Sequence, residues 1–201
     1  MKKHDAGYGS PAVPENLVVI GGAGSGKSTV IECLAQWCQR ILAKAGDDPN
    51  SPYILKTATT GAAASLIEGS TLHSTLGFSY ESKYTSLSDK KREDMREKLK
   101  NLKILIVDEF SMMKSDMLYL MHLRLCEIKQ VDQDFGGVKV FLFGDLAQLK
   151  PVLGCYTFAR PSNPDFRLSY GDGTDSLWRR FKVINLETLE HAKTLGCLVQ
   201  Y

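Results

Sequence analysis

The residues best suited to chemistry lie in three short stretches. The first is "VVIGGAGSGKSTV", Val18 to Val30, where four glycines precede a lysine and two hydroxyls. Leu17 to Ile20 are apolar and mostly β-branched, as in a strand buried on both faces. From Lys27, the residues Val30, Ile31, Leu34, Trp37, Cys38 and Ile41 recur at helical spacing. The loop therefore lies between a strand and a helix N-terminus, where unpaired amides and the helix dipole favour an anion. Glycine lets a ligand approach the main chain closely. The spacing Gly21-x-x-x-x-Gly26-Lys27-Ser28 fits the phosphate-binding P-loop. In that role Gly21, Gly22, Ala23, Gly24, Ser25, Gly26, Lys27, Ser28 and Thr29 cradle the phosphates of a nucleotide such as ATP. Lys27 reaches the β and γ phosphates, and Ser28 ligates Mg2+. A glycine-rich turn without a ligand is the competing account. Strand, loop and helix in the required order favour the phosphate site.

The second stretch, "ILIVDEF", sets two carboxylates just after four apolar residues. A P-loop enzyme needs one acidic group to help hold Mg2+ and a second group to orient the attacking water. Asp108 suits the first role and Glu109 the second. An acidic pair capping the next helix is the alternative. The third stretch is "FLFGDLAQLKPV". Gln148 has the chemistry to hydrogen-bond a γ-phosphate or the water, and Asp145 to support that geometry. Taken alone, this stretch reads better as an ordinary strand-to-loop turn.

These groups need elements to position them. After the first helix, "GDDPNSP" breaks the pattern, and "YILKTATTG" reads as a second strand. Residues 62 to 76 read as short helical pieces split by Gly69. In the charged segment that follows, only Met95, Leu99 and Leu102 form an apolar stripe, which predicts a surface helix. "LKILIVDEF" is a third buried strand. "SDMLYLMHLRLCEIKQ" is an amphipathic helix with Ser115 or Asp116 as its cap. "GGVKVFLFGD" and "FKVINLE" supply further strands, with irregular chain between them at 154 to 178. Strands alternating with helices predict a parallel sheet covered on both faces. Ligands then bind beyond the carboxyl ends of the strands, where the glycine loop, Asp108–Glu109 and Gly144–Asp145 all fall.

The 201 residues suit one domain with a sizeable core, and a hydrophobic share of 43% is ordinary for a globular protein. A net charge of +2 is too small to argue for nucleic acid by itself. No apolar run approaches the roughly 20 residues of a membrane helix. The opening "MKKHDAGYGSPAVPEN" has no signal-like apolar stretch. Cysteines at 33, 38, 126, 155 and 197 form no CxxC pair, which suggests reduced thiols in place of disulfides or zinc.

Four motifs occur in order: "GGAGSGKST", "TATTGAAASLIEGSTLHSTLG", "LIVDEFSMM" and "FGGVKVFLFGDLAQLKPV". With these, residues 17 to 153 resemble the Pif-one-like DNA helicases (petite integration frequency helicases) of superfamily one, type B. A nucleoside kinase or transporter ATPase would share only the first and third motifs. The resemblance implies an α/β P-loop fold of RecA-like type, ATP hydrolysis with Mg2+, and 5′ to 3′ movement on single-stranded DNA. It further implies work in DNA repair, recombination, telomere maintenance and replication through structured DNA. The implied location is intracellular: the nucleus first, with the mitochondrion or a prokaryotic cytoplasm as alternatives.

The resemblance assigns the second motif to single-stranded DNA, with Thr60, Gly61, Thr71 and His73 on positions that line the strand path. Threonine, histidine and backbone amides are suitable phosphate contacts. His73 as a structural histidine is the alternative. Phe78, Tyr80 and Tyr84 are candidate base-stacking platforms, although local core packing is the favoured role. Residues 81 to 103 carry eight Lys/Arg and five Asp/Glu; a solvated face is the default, and a DNA-facing edge the alternative.

Some positions depart from the family. It normally carries a glutamine-containing adenine-contact motif before the P-loop, and "MKKHDAGYGSPAVPEN" offers no match. Lys150 stands where proline is common. The organisation expected is a lead-in at 1–16, a first RecA-like ATPase domain at 17–187 with a small polar insertion near 78–102, and a divergent end at 188–201. The family's second RecA-like domain and its arginine fingers would lie beyond; such a finger is worth about 10³ to 10⁵ in rate in related enzymes. Arg160, Arg167, Arg179 and Arg180 fall in no matching motif. The expectation is thus a truncated helicase motor domain. The alternative is an ATP- and DNA-binding module, or a remnant, that cannot unwind alone.

Overall fold

The computed structural model describes residues 16–48, 51–78, 83–148, 151, 155–169 and 176–186. The strands are β1 (Asn16–Ile20), β2 (Ile54–Ala58), β3 (Ser70–Thr71), β4 (Ile104–Asp108), β5 (Lys139–Gly144) and β6 (Phe181–Asn185). The helices are α1 (Lys27–Leu42), α2 (Gly61–Leu66), α3 (Leu72–Leu76), α4 (Asp89–Leu99), α5 (Ser115–Lys129) and α6 (Pro164–Ser169).

All six strands pair in parallel, in the order β3-β2-β4-β5-β1-β6. The apolar runs explain why. A strand covered on both faces has no polar side to alternate with, so β4 and most of β5 are continuously buried. Successive residues then feed opposite cores. Leu105, Val107, Val140, Leu142 and Val18 join α3, α4 and α5 on one face. Ile104, Ile106, Phe141, Phe143 and Val19 join Ile31 and Cys38 of α1 and Ala63 and Ala64 of α2 on the other. Buried Asn16 lengthens the β1–β5 seam, its Oδ1 accepting from Val140 N–H at 2.9 Å.

Several expectations need correction. The spacing missed β3, two residues on the edge of β2 that pair Ser70 with Thr57 and Thr71 with Ala58. The apolar stripe of α1 is only partly buried: Trp37 and Ile41 are 62% and 59% exposed, because the helix seats on the line through Ile31 and Cys38. Neither Ser115 nor Asp116 caps α5. The cap position is Lys114, Ser115 is fully buried, and the Asp116 carboxylate instead accepts from the amides of Ser162 and Asn163. Part of the segment expected to be irregular forms α6 and a 3₁₀ turn at Leu177–Arg180. It is pinned back on the domain by Thr157, whose buried hydroxyl contacts Phe110 O and Met113 O at 3.2 and 2.6 Å.

The polar segment around α4 is a surface helix, as the sparse stripe predicted, with Leu99 and Leu102 buried beneath it. Its anchor is Glu127 of α5. That carboxylate accepts from Tyr84 Oη at 2.8 Å and Leu87 N–H at 2.9 Å, and pairs with buried Arg124. Among the described residues no helix is long and apolar enough to cross a membrane. The four described cysteines, Cys33, Cys38, Cys126 and Cys155, are free.

Gly144 closes β5 where it meets the turn after β4. A Cβ there would sit 2.8 Å from Phe110 Cδ1 and 3.3 Å from Phe110 N. Gly144→Ala is therefore expected to cost about 1–3 kcal/mol, as overpacking of a filled core does. Chemical denaturation would show it as a lower midpoint with an unchanged slope.

Candidate active site

Strands β1, β2, β4, β5 and β6 end on one edge of the sheet, and each delivers a chain segment there. Main-chain bonds beyond the strands join these segments in two groups, β2 with β4 and β5 with β1 and β6. Gly21 N–H donates to Gly144 O at 3.1 Å, and Thr59 N–H donates to Asp108 O at 3.3 Å. Leu186 N–H donates to Ile20 O at 2.7 Å, which fixes the exit of β6 beside the loop after β1.

That loop turns into α1 through Gly26, whose φ of 87° is left-handed and strained for any side chain. Gly22, Ala23, Gly24, Ser28 and Thr29 are exposed around the turn, and Ser25 and Lys27 are half-buried. Lys27 Nζ donates to the carbonyls of Gly21 and Gly22 at 2.6 and 3.0 Å. The ammonium thus lies inside the loop. Ser25 Oγ is buried and has no hydrogen-bond partner among the described residues. An orphan hydroxyl in a loop of exposed amides fits an anionic ligand with several acceptor oxygens.

Facing the loop are Asp108, the buried last residue of β4, and half-buried Glu109. Asp108 Oδ1 accepts from Glu109 N–H at 2.9 Å. Burial raises the Asp108 carboxyl above its ordinary range, against the lowering effects of that bond and of the Lys27 charge. Burial likewise raises Glu109, helped by the charges of Asp108 and Asp145 and opposed by Lys27. Two crowded, partly dehydrated carboxylates, with an exposed Ser28 hydroxyl on the glycine loop, make a donor set that suits a hard divalent cation. Glu109 itself adopts φ 55° and ψ 41°, an uncommon conformation for a non-glycine residue.

The structure thus brings Lys27, Asp108 and Glu109 together, close enough for the Lys27 charge to act on both carboxyls. It adds Asp145 more firmly than the sequence did. Its Oδ2 lies 4.0 Å from where a Gly22 Cβ would stand, and its Oδ1 accepts from Ala147 N–H at 2.9 Å. The adjacency of β4, β5 and β1 puts it there, and no local pattern encodes that order. Gln148 is exposed on the following turn, its N–H donating to Asp145 O. Lys150 and Tyr80 lie outside the described residues. Arg180 pairs with Asp134, and Arg167 Nε donates to Pro161 O.

The second motif sits on the same edge. Thr60 caps α2, its hydroxyl accepting from Ala63 N–H at 3.2 Å, and Gly61 opens that helix, exposed. Thr71 caps α3 in the same way through Ser74 N–H. The pairing of Ala58 with Thr71 sets the two caps side by side. His73 packs edge-on to Phe78 at 6.0 Å, and burial lowers its pKa. Phe78 and Tyr84 pack against the core. Tyr84 also lies under the Arg124 guanidinium, and burial with the Glu127 contact pushes its hydroxyl up to about 12. Core packing is therefore the role of these two rings.

A parallel sheet with a glycine loop running into α1, and an acidic pair at the end of a neighbouring strand, defines the α/β RecA-like P-loop class. Within it, residues 10–194 match the family model described as PIF1-like helicase, and the chain belongs to that family. It is 33% identical over 140 residues to the ATP-dependent DNA helicase RRM3 of Saccharomyces cerevisiae, covering 68% of this chain and 18% of that protein. It is 34% identical over 143 residues to the ATP-dependent DNA helicase Pif1 of Bdellovibrio bacteriovorus, covering 69% and 30%. The Bacteroides sp Pif1 solved with ADP-AlF4 superposes with a TM-score of 0.61 at 32% identity, covering 86% of this chain and 38% of that one. Bacteroides Pif1 bound to ssDNA gives 0.59 at 29% identity, covering 87% and 39%. The chain thus spans less than a third of these curated relatives and under two fifths of these solved chains.

Burial that raises a carboxyl makes its charged form a burden on the fold. Such a group favours the folded state when protonated, and that contribution fades as pH rises through its raised pKa. Asp108→Asn is accordingly expected to stabilise the ligand-free protein at neutral pH. A gain of ~1 kcal/mol would appear as a rise of about 2–4 °C in Tm. The gain should shrink toward acid pH, where the wild-type carboxyl is itself protonated. Calorimetric melts across pH would check both the sign and the window.

Proposed function

We propose that this chain is an ATP-hydrolysing motor domain of a 5′ to 3′ DNA helicase, binding Mg-ATP at the glycine loop and single-stranded DNA across Thr60, Gly61, Thr71 and His73. The observation that carries the reading is the meeting of Lys27, Asp108 and Glu109 at one end of the sheet, with the second motif on the same edge. Relatives named as ATP-dependent DNA helicases, and a neighbour bound to ssDNA, support it.

In this reading the loop between Gly22 and Thr29 holds the phosphates through its amides, and Lys27 swings from the carbonyls of Gly21 and Gly22 to the β and γ oxygens. Ser28 and Asp108 would hold a bound magnesium, which would supply charge neutralisation at the phosphates. Glu109 orients a water against the γ-phosphorus and takes its proton as the new P–O bond forms and the bond to ADP breaks. Its raised basicity suits that task. Gln148 hydrogen-bonds the γ-phosphate or the attacking water from the end of β5, and Asp145 supports that geometry. Burial lowers the His73 pKa in the ligand-free protein, so its contact with DNA is read as a hydrogen bond rather than as a standing charge.

The test of the nucleotide site is calorimetric. Lys27→Ala should lose most ATP affinity, Ser28→Ala should chiefly lose Mg2+ dependence, and Glu109→Gln should bind ATP without turnover. Equal ATP affinity in wild type and Lys27→Ala would refute the assignment.

DNA binding should favour single strands over blunt duplex, ignore sequence, and weaken with salt as phosphate contacts release counterions. Thr60→Ala combined with His73→Ala should reduce affinity for every oligonucleotide alike in anisotropy titrations, with a melt confirming the fold. Unchanged affinity would leave a nucleotide-binding module with its DNA path elsewhere.

A further inference from the structure

We infer that Thr59 is a positioning residue that holds the main chain of Glu109, and so links the DNA-facing turn at Thr60 to the carboxylate that handles the attacking water. The inference rests on the function proposed above and adds to it a residue which that function did not require.

The geometry is specific. Beyond the last rung of the β2–β4 ladder, Ala58 with Asp108, the two chains do not part. Thr59 N–H donates to Asp108 O at 3.3 Å, and Thr59 Oγ1 donates to Glu109 O at 3.0 Å. One strand position earlier on the same face, Thr57 Oγ1 donates to Ile106 O at 2.7 Å, fully buried. Residues 57 to 59 thus grip residues 106 to 109 by side chain as well as by backbone. The residue so gripped is the strained one, Glu109 with φ 55°. Sparsely populated backbone conformations persist where the surroundings over-determine them, and they cluster at functional positions. On its other side Thr59 is bonded to Thr60, which is itself fixed as the cap of α2. A displacement of Thr60 by a bound strand therefore acts, through a single peptide unit, on the hydroxyl that pins Glu109. The link runs both ways, since coupling between two binding sites is reciprocal.

Glu109 O also accepts from Met112 N–H at 3.1 Å. Removing the threonine donor does not orphan that carbonyl, so Thr59→Val, nearly identical in shape, should fold. Thr59→Ser retains the donor and serves as the rescue.

The experiment measures the affinity of the full chain for an oligo(dT) strand by anisotropy, with and without Mg2+ and a non-hydrolysable ATP analogue. In wild type the analogue should change DNA affinity by a factor of about 5 or more, the lower end of ordinary coupling. In Thr59→Val that factor should fall toward one, while each ligand alone binds as in wild type. Thr59→Ser should restore it. Coupling in Thr59→Val equal to wild type overturns the inference, as does a Thr59→Ser variant uncoupled like the valine. A wild-type protein that binds both ligands independently overturns the link and leaves the proposed function standing. Failure of wild type to bind either ligand overturns both.

Discussion

The site depends on β4 being flanked by strands on both sides. Every residue of that strand is buried, with Ile104 and Ile106 turned to one core and Leu105 and Val107 to the other. An apolar strand of this kind is held in register by β2 and β5 along its length. Asp108 is the first residue with a charge to hide, and it appears where the sheet runs out. Its carboxyl is buried there, and that burial raises it against the lowering pull of the Glu109 amide and the Lys27 charge.

The same constraint acts on neighbours that carry no charge. Because the strands are parallel, their carboxyl ends share one edge, and every loop leaving that edge must avoid the others. The bonds Gly21–Gly144 and Thr59–Asp108 are the ladder continued by other means. They tie four chain segments into two pairs, one at the ends of β1 and β5 and one at the ends of β2 and β4. The first holds the glycine loop to the end of β5, the strand beside the one that carries the acidic pair.

Much of this was legible in the chain itself. The apolar runs before Gly21, Asp108 and Asp145 mark strand ends, and parallel pairing then requires those residues to share an edge. What escaped reading depends on relations between distant residues. β3 is two residues of ladder, too short to have a period. Asp116 has the composition of a helix cap, yet its carboxylate is claimed by the amides of Ser162 and Asn163, some 46 and 47 residues on. Trp37 has the spacing of a core residue, but which line of a helix is seated depends on the surface it meets. The approach of Asp145 to Gly22 follows from strand order, and the Thr59 contact from a loop geometry that no propensity describes.

The grip of Glu127 on the α4 segment bears on how separable that segment is. A charged, lysine-rich stretch on a surface looks like an appendage that could be shortened freely. Yet Tyr84, Leu87 and Arg92 of that stretch converge on a single carboxylate in α5, which is also the partner of a buried guanidinium. Excising the stretch would leave an acid and a base facing solvent in a place built to exclude it. The segment is thus part of the domain's masonry, and any chain that diverges in it must change α5 at the same time.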